Sequence, residues 1–238
     1  MKLVFKHKET IQVVTLATTK NKKIEGNVKR KIVQTYTFSY KQFELVKKRF
    51  ETNEPIGIER FFNSADTNCL DCPFNSYGKC YTHKVQQYKG FISSLKSIVS
   101  KFGSIDNIPT FDISMLDMLV KMANNTYVRF GTYGEPSLHP IEMIRAMVKV
   151  CDNWTGYTHQ YTKNNLGDYF MASTHNVSEV DKAKELGYRS FVATENKLGY
   201  VSCPASKESG YKATCSTCGL CSGTLGTKTT KSIEIILH

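Results

Sequence analysis

Seven of the eight cysteines in this chain fall into two short groups, Cys69, Cys72 and Cys80, then Cys203, Cys215, Cys218 and Cys221. A thiolate is both a soft metal ligand and a nucleophile, so spacing decides which chemistry each group suits. In the second group three cysteines at three-residue intervals wrap one side of a compact centre, and the distant Cys203, followed by Pro204, completes fourfold ligation. That crowding favours a 4Fe–4S cluster, because zinc modules more often pair two separate Cys-x2-Cys knuckles around a tetrahedral ion. The first group, Cys-x2-Cys-x7-Cys, offers only three thiolates. Two readings stand for it: a 4Fe–4S cluster with one iron open to a substrate or cofactor, or a closed zinc site with His83 as fourth donor that staples a loop. Cys151 shares a helical stripe with Ile144 and Val148 and reads as a packing residue.

A third signal is Arg129-Phe130-Gly131-Thr132-Tyr133-Gly134-Glu135-Pro136, where a strand gives way to a helix. Gly131 and Gly134 let backbone approach a ligand closely, and Glu135 can accept hydrogen bonds from an ammonium group. His159 and His175 stand at expected strand ends on the same side, where a neutral imidazole moves protons or ligates a metal. His175 reads more simply as a loop residue satisfied by backbone.

The elements that must carry these residues are legible in the apolar pattern. Residues 2–19 and 27–40 alternate as two strands of a hairpin joined by the polar turn Lys20–Gly26, with Tyr36, Phe38 and Tyr40 forming an aromatic face suited to core packing. Ser39-Tyr40-Lys41-Gln42 fits a capping box, and Phe43, Val46 and Phe50 make the stripe of the helix behind it. From Glu54 onward strand-like pieces at Ile56–Phe62, Thr126–Phe130, Trp154–Tyr161, Phe170–Thr174, Arg189–Thr194 and Ser232–Leu237 alternate with amphipathic helices. The helices are expected within His83–Phe102, from Ser114, after Pro140 and after Asn176. This rhythm is that of an α/β protein with a parallel sheet or partial barrel, whose active face is the carboxyl ends of the strands. Both cysteine groups are expected at that face.

The formal net charge of +11 is concentrated at the front, where residues 1–50 hold 13 basic and 3 acidic side chains. Such a patch attracts a phosphate backbone and predicts salt-dependent nucleic-acid binding, although a Lys-rich solvated surface has the same composition. No apolar run reaches a membrane span and the Lys-rich start is unlike a secretory signal, so the cytoplasm is the expected compartment, where disulfides are not sustained.

Together the three-cysteine loop, Gly134-Glu135-Pro136 behind a strand, and the cysteine-rich tail resemble the radical S-adenosylmethionine enzymes. Those enzymes carry a cluster loop after the first strand of a six-stranded partial (βα) barrel, a Gly-Gly-Glu-Pro-like motif after the second, and often auxiliary clusters beyond. The apolar pattern gives an N-terminal hairpin and helix over residues 1–53, and the resemblance, which covers the chain from about Glu54, implies the barrel with the first cysteines over 54–202 and a cluster-binding extension over 203–238. It also implies Cys69, Cys72 and Cys80 as the catalytic cluster loop and Gly134-Glu135-Pro136 as the S-adenosylmethionine-binding motif, to which the residues' own positions add Gly131 as cofactor-binding and His159 as catalytic. A second 4Fe–4S cluster would sit on Cys203, Cys215, Cys218 and Cys221, with an outside reductant. The loop departs from the family's Cys-x3-Cys-x2-Cys spacing. Cys72-Pro73, Gly78-Lys79-Cys80-Tyr81, Tyr157-Thr158-His159 and Cys203-Pro204-Ala205 also resemble a set of cysteine-rich proteins of phages and plasmids. The expected function is an iron–sulfur enzyme acting on a nucleotide or nucleic acid. The alternative is a non-catalytic nucleic-acid-binding protein with structural zinc.

Overall fold

Alternation along the strands governs the front of the chain. In the computed structural model, which describes residues 1–19, 24, 30–75, 80, 82–227 and 229–237, the expected first strand folds back on itself. β1 (Lys2–His7) and β2 (Thr10–Thr18) pair antiparallel around Lys8, whose φ of 49° supplies the left-handed step a two-residue reversal needs. β3 (Lys31–Ser39) pairs antiparallel with β2 along its whole length. The expected turn at Lys20–Gly26, apart from Ile24, and residues 27–29 lie outside the described residues, as do Gly78, Lys79 and Tyr81.

At Ser39 the capping box forms as read, its hydroxyl accepting from the Gln42 backbone while the Gln42 side chain reaches back, and α1 (Tyr40–Thr52) starts there. Phe43 and Val46 are buried, but Phe50 is exposed beneath the Lys96 ammonium, one turn beyond the core. The apolar run Ile56–Phe62 is a second correction. It forms α2 (Ile58–Asn63) instead of a strand, with Phe61 and Phe62 buried side by side and Glu59 and Arg60 in solvent. Two adjacent inward residues suit a helix face, whereas a strand would send them to opposite sides. A short α3 (Asp66–Cys69) follows, then α4 (Val85–Phe102), which stops at Gly103 with φ 69°.

β4 (Tyr127–Tyr133) pairs parallel with β3 and β5 (Asn153–Thr155), giving a five-stranded sheet in the order β1-β2-β3-β4-β5. The first 53 residues thus share a sheet with the rest of the chain. After Gly156 the same stretch continues as β6 (Tyr157–Thr158), which pairs parallel with β7 (Met171–Thr174) in a second sheet. That sheet adds β8 (Ser190–Thr194), β9 (Val201–Ser202) and β10 (Ile233–Ile236) in the order β6-β7-β8-β10-β9, all parallel. The expected strand Trp154–Tyr161 therefore serves two sheets, and a Cβ on Gly156 would lie 2.4 Å from the Phe170 ring.

Sheet alternation sorts the core into two layers. Ile11, Val13 and Phe38 pack with Phe43, Phe62 and Leu95 of α1, α2 and α4. Phe5, Val14, Val33, Val128 and Phe130 face the other way, against Leu119 and Met122 of α5 (Leu116–Ala123) and Met143 and Met147 of α6 (Ile141–Val148). Tyr36 and Phe38 stand parallel beside Phe91, so the aromatic face is core, while Tyr40 opens α1. Cys151 packs on the second layer as expected. Among the described residues no helix is long and apolar enough to cross a membrane.

Candidate functional site

The first cysteine loop lies across the carboxyl ends of the parallel strands. Asn68 is fully buried; its amide donates to Thr37 O at the end of β3 (2.9 Å), and its own carbonyl accepts from Glu135 N just beyond β4 (2.7 Å). Gly134 allows this crossing, because with φ 79° a Cβ there would stand 2.8 Å from Thr37 Cβ and O. Farther along, Asp71 holds the Gln160 amide and Lys163 Nζ, the latter at 2.5 Å, so the loop is also tied beyond β6. Cys72 Sγ consequently sits 3.9 Å from His159 Nε2, and the Phe74 ring meets His175 edge-on at 4.6 Å.

Each sulfur of this loop has a polar neighbour. Asn68 Nδ2 donates toward Cys69 Sγ at 3.8 Å, the Phe74 N–H donates to Cys72, and Thr82 Oγ1 is 3.1 Å from Cys80 Sγ. Burial, reinforced by the neighbouring sulfurs, pushes the Cys69 thiol well up, and burial lifts Cys72 to about 12. Thiols in that condition keep their protons at neutral pH unless a cation arrives to balance the thiolates, which is the chemistry of a metal group. Donors aimed at the sulfurs fit such a group as well. Among the described residues, however, no three His, Cys, Asp or Glu side chains are close enough to hold a single ion. His83 stacks on Phe62 at 4.1 Å, within the aromatic layer.

Glu135 is 4% exposed and its oxygens are already engaged. Oε1 accepts from Ser137 N and Oε2 from His159 N, both at 3.1 Å, and the Thr158 hydroxyl also reaches the carboxylate. Burial raises its pKa despite these bonds. The Ser137 hydroxyl is a fourth donor, so the about four acceptor positions of a carboxylate are all taken and a ligand ammonium would have to displace one of these donors. Gly131 donates its N–H to Thr35 Oγ1 (2.9 Å), and a Cβ there would meet Pro136 at 3.0 Å, so packing accounts for it. Burial, then the neighbouring His175, lowers His159 to about 4, leaving a neutral imidazole. His175 is only half satisfied by backbone: Nδ1 faces Ala193 O at 3.2 Å, while Nε2 is buried with no hydrogen-bond partner.

The second cysteine group lies elsewhere. Cys215–Cys218 form a short helix, capped by Thr214 and Thr217, and Asn153 Nδ2 at the start of β5 donates to Ser216 O (3.4 Å). Cys221 is buried against Met171 and Ile233, the first residues of β7 and β10, and hydrogen-bonds Tyr157, the first of β6. Cys215 packs beside Tyr127, the first of β4. The group therefore occupies the amino ends of the strands, correcting its expected place at the carboxyl face. The chain returns to the sheet late, through the loop after β9, and meets the strand starts. Burial, then the neighbouring Cys203, Cys215 and Cys218, pushes the Cys221 thiol up, so the four lie in one region, although among the described residues no three of them are grouped to hold a single ion. None of the eight cysteines is in a disulfide.

Sequence reasoning missed Asn68, Asp71, Thr82, Gln160 and Lys163 around the first loop. Asn68 and Asp71 flank Cys69 and Leu70, and that adjacency was the available signal; the partners after β6 had none. It also missed His139, buried with Nδ1 2.6 Å from Gln12 Oε1 and Nε2 2.7 Å from Thr35 Oγ1. Thr37 Oγ1 donates to the same Gln12 oxygen (3.1 Å), so the network is closed and burial holds His139 at about 3. Two surface cavities, of about 370 Å³ beside His7 and Glu142 and about 320 Å³ beside Tyr36 and Arg129, lie away from both cysteine groups.

These features define a mixed α/β protein of two five-stranded sheets with two separate thiol sites at opposite ends of its parallel strands. No family model, curated protein or solved structure matches the chain.

Proposed function

We propose that the protein is an iron–sulfur enzyme of the kind that resembles the radical S-adenosylmethionine enzymes, with β4, β5–β6, β7, β8 and β10 as staves of an open barrel. The observation that carries this reading is that Asn68–Asp71, with Cys69 between them, is tied across the carboxyl ends of β3, β4 and β6, the Asn68 carbonyl accepting from the N–H of buried Glu135. In parallel α/β proteins that end of the strands is where ligands are handled. Cys69, Cys72 and Cys80 would hold a 4Fe–4S cluster, which supplies one-electron chemistry when bound. Glu135 holds the backbone of His159 and would meet a cofactor ammonium by exchanging one of its present donors. Cys203, Cys215, Cys218 and Cys221 would hold a second cluster; a zinc ion there would instead brace the strand starts. The basic surplus over residues 1–50 supports a nucleotide or nucleic-acid partner, although exposed Arg30 and Lys31 stand at the start of β3, opposite the first loop.

Protein purified without oxygen is expected to be brown, to contain iron and acid-labile sulfide, and to change its dithionite-reduced spectrum when S-adenosylmethionine is added. A reduced spectrum indifferent to S-adenosylmethionine would remove the cofactor, and colourless protein carrying only zinc would remove the enzyme.

A further inference from the structure

We infer that the cavity between α4 and the first sheet is a binding site for a small organic phosphate, with the phosphoryl group on Arg129 and a hydroxylated ring against the neighbouring amides and hydroxyls. The site is lined by no cysteine and goes beyond the proposed function.

Strand register assembles the floor of the cavity. Lys2 pairs with Thr15, Thr15 with Gln34 and Gln34 with Arg129, so one row of side chains crosses β1, β2, β3 and β4 on the face that α4 covers. Farther along the strands that face is filled by aromatic rings, where Phe91 stacks on Tyr133 at 4.3 Å and meets Phe38 at 6.0 Å. At the row itself the filling stops. About 320 Å³ is left, with Gln34, Arg129 and Thr132 below and Gln87, Gly90 and Ser94 of α4 above. That volume lies at the lower end for small-molecule sites, about 300–1,000 Å³.

The lining is chemically one-sided. It offers hydroxyls, amides and a guanidinium, and none of its described residues is acidic. Tyr36 brings its phenol to the same place: burial raises its pKa, the Arg129 charge draws it back, and Thr15 hydrogen-bonds it. Lys2 Nζ donates to Ser94 O at 3.3 Å and to Ser94 Oγ at 3.4 Å, which adds a second cation at the rim. A guanidinium meets a phosphoryl group through two parallel N–H bonds, while amides and hydroxyls serve the hydroxyls of a sugar as donors or acceptors. Gly90 keeps the mouth clear. It sits inside α4, where glycine weakens a helix, and a Cβ there would meet nothing within 4 Å.

The test is calorimetric titration of the full chain with uridine 5′-monophosphate and ribose 5-phosphate, with uridine and inorganic phosphate as controls. At least one ester is expected to bind saturably, about tenfold or more tighter than either control, and the tighter ester tells a nucleotide from a sugar phosphate. Arg129→Gln should weaken that ester about tenfold or more. Gly90→Leu, which places a good helix former in the mouth, should abolish binding while the thermal midpoint holds or rises. Failure of both esters to bind overturns the inference, as does uridine or inorganic phosphate binding as tightly as the esters, the latter meaning an adventitious ion only. Wild-type affinity in Gly90→Leu overturns it as well. The controls and Gly90→Leu leave the guanidinium in place, so they decide even where Arg129→Gln folds poorly.

Discussion

The two cysteine groups are built on different footings. The first is a loop laid over the strand ends, fastened by Asn68 and by an exposed tie between Asp71 and Lys163, whose side chains are more than half exposed. The second is seated against the first residues of β4, β5, β6, β7 and β10, with Cys221 buried and a helical turn of its own. A loop held by a few polar ties can open to admit a ligand, whereas a group packed against five strand starts moves only with the sheet. The difference supports the proposed division, with the first group as the reactive one and the second as a brace or electron store.

The strongest way to break the distinction is at the point both sheets share. Gly156→Ala sets a Cβ 2.4 Å from the Phe170 ring, and overpacking of this kind costs about 1–3 kcal/mol. Urea denaturation should show a lowered midpoint, with metal lost from both groups together. If only the first group lost metal, the strand that passes from one sheet to the other would not be their common support.

Acid should act on the layer beneath the first group. His139, held neutral by burial and its Gln12–Thr35 bonds, has its pKa depressed from 6.5 to about 3. Its contribution to stability is therefore complete above pH 6.5 and lost as pH falls toward 3, amounting to about 2 kcal/mol between pH 6.5 and 5. His159, depressed to about 4, adds a slope of the same sign. Denaturation at pH 7.5 and 5 should show the loss, and His139→Gln should flatten it while lowering stability at pH 7.5. An unchanged slope in that variant would contradict the assignment.

The smallest effect sharpens the contrast. Lys163→Ala removes only the exposed ion pair to Asp71, worth under about 1 kcal/mol, and leaves Asp71 on the Gln160 amide, so global stability should barely move. Hydrogen exchange in residues 70–75 should rise while residues 215–221 stay protected. Equal loosening of both segments would mean that the first group is not held separately.

Much of this arrangement was legible in the sequence. The capping box at Ser39, the helix ending at Gly103 and the strands that stop just before Glu135, His159 and His175 follow from local patterns, and the structure contains them. The reversal at Lys8 was missed because no glycine or asparagine marks it. Ile56–Phe62 misled because an apolar run this short fits either period, and only packing against α4 and β4 decides. Local sequence could not say which end of the sheet receives Cys203–Cys221, since that depends on where a long return crosses the strands. Nor could it show that Gly156 lies between two sheets, for the alternation on its two sides is continuous.

Iron, zinc and acid-labile sulfide counted per chain in oxygen-free wild type, Cys69→Ala and Cys218→Ala test the account most directly. Two independent iron–sulfur centres predict that each substitution removes a different part of the iron and sulfide and leaves the remainder in place. Wild type that binds no sulfide, or loses all its metal with either substitution, would contradict it.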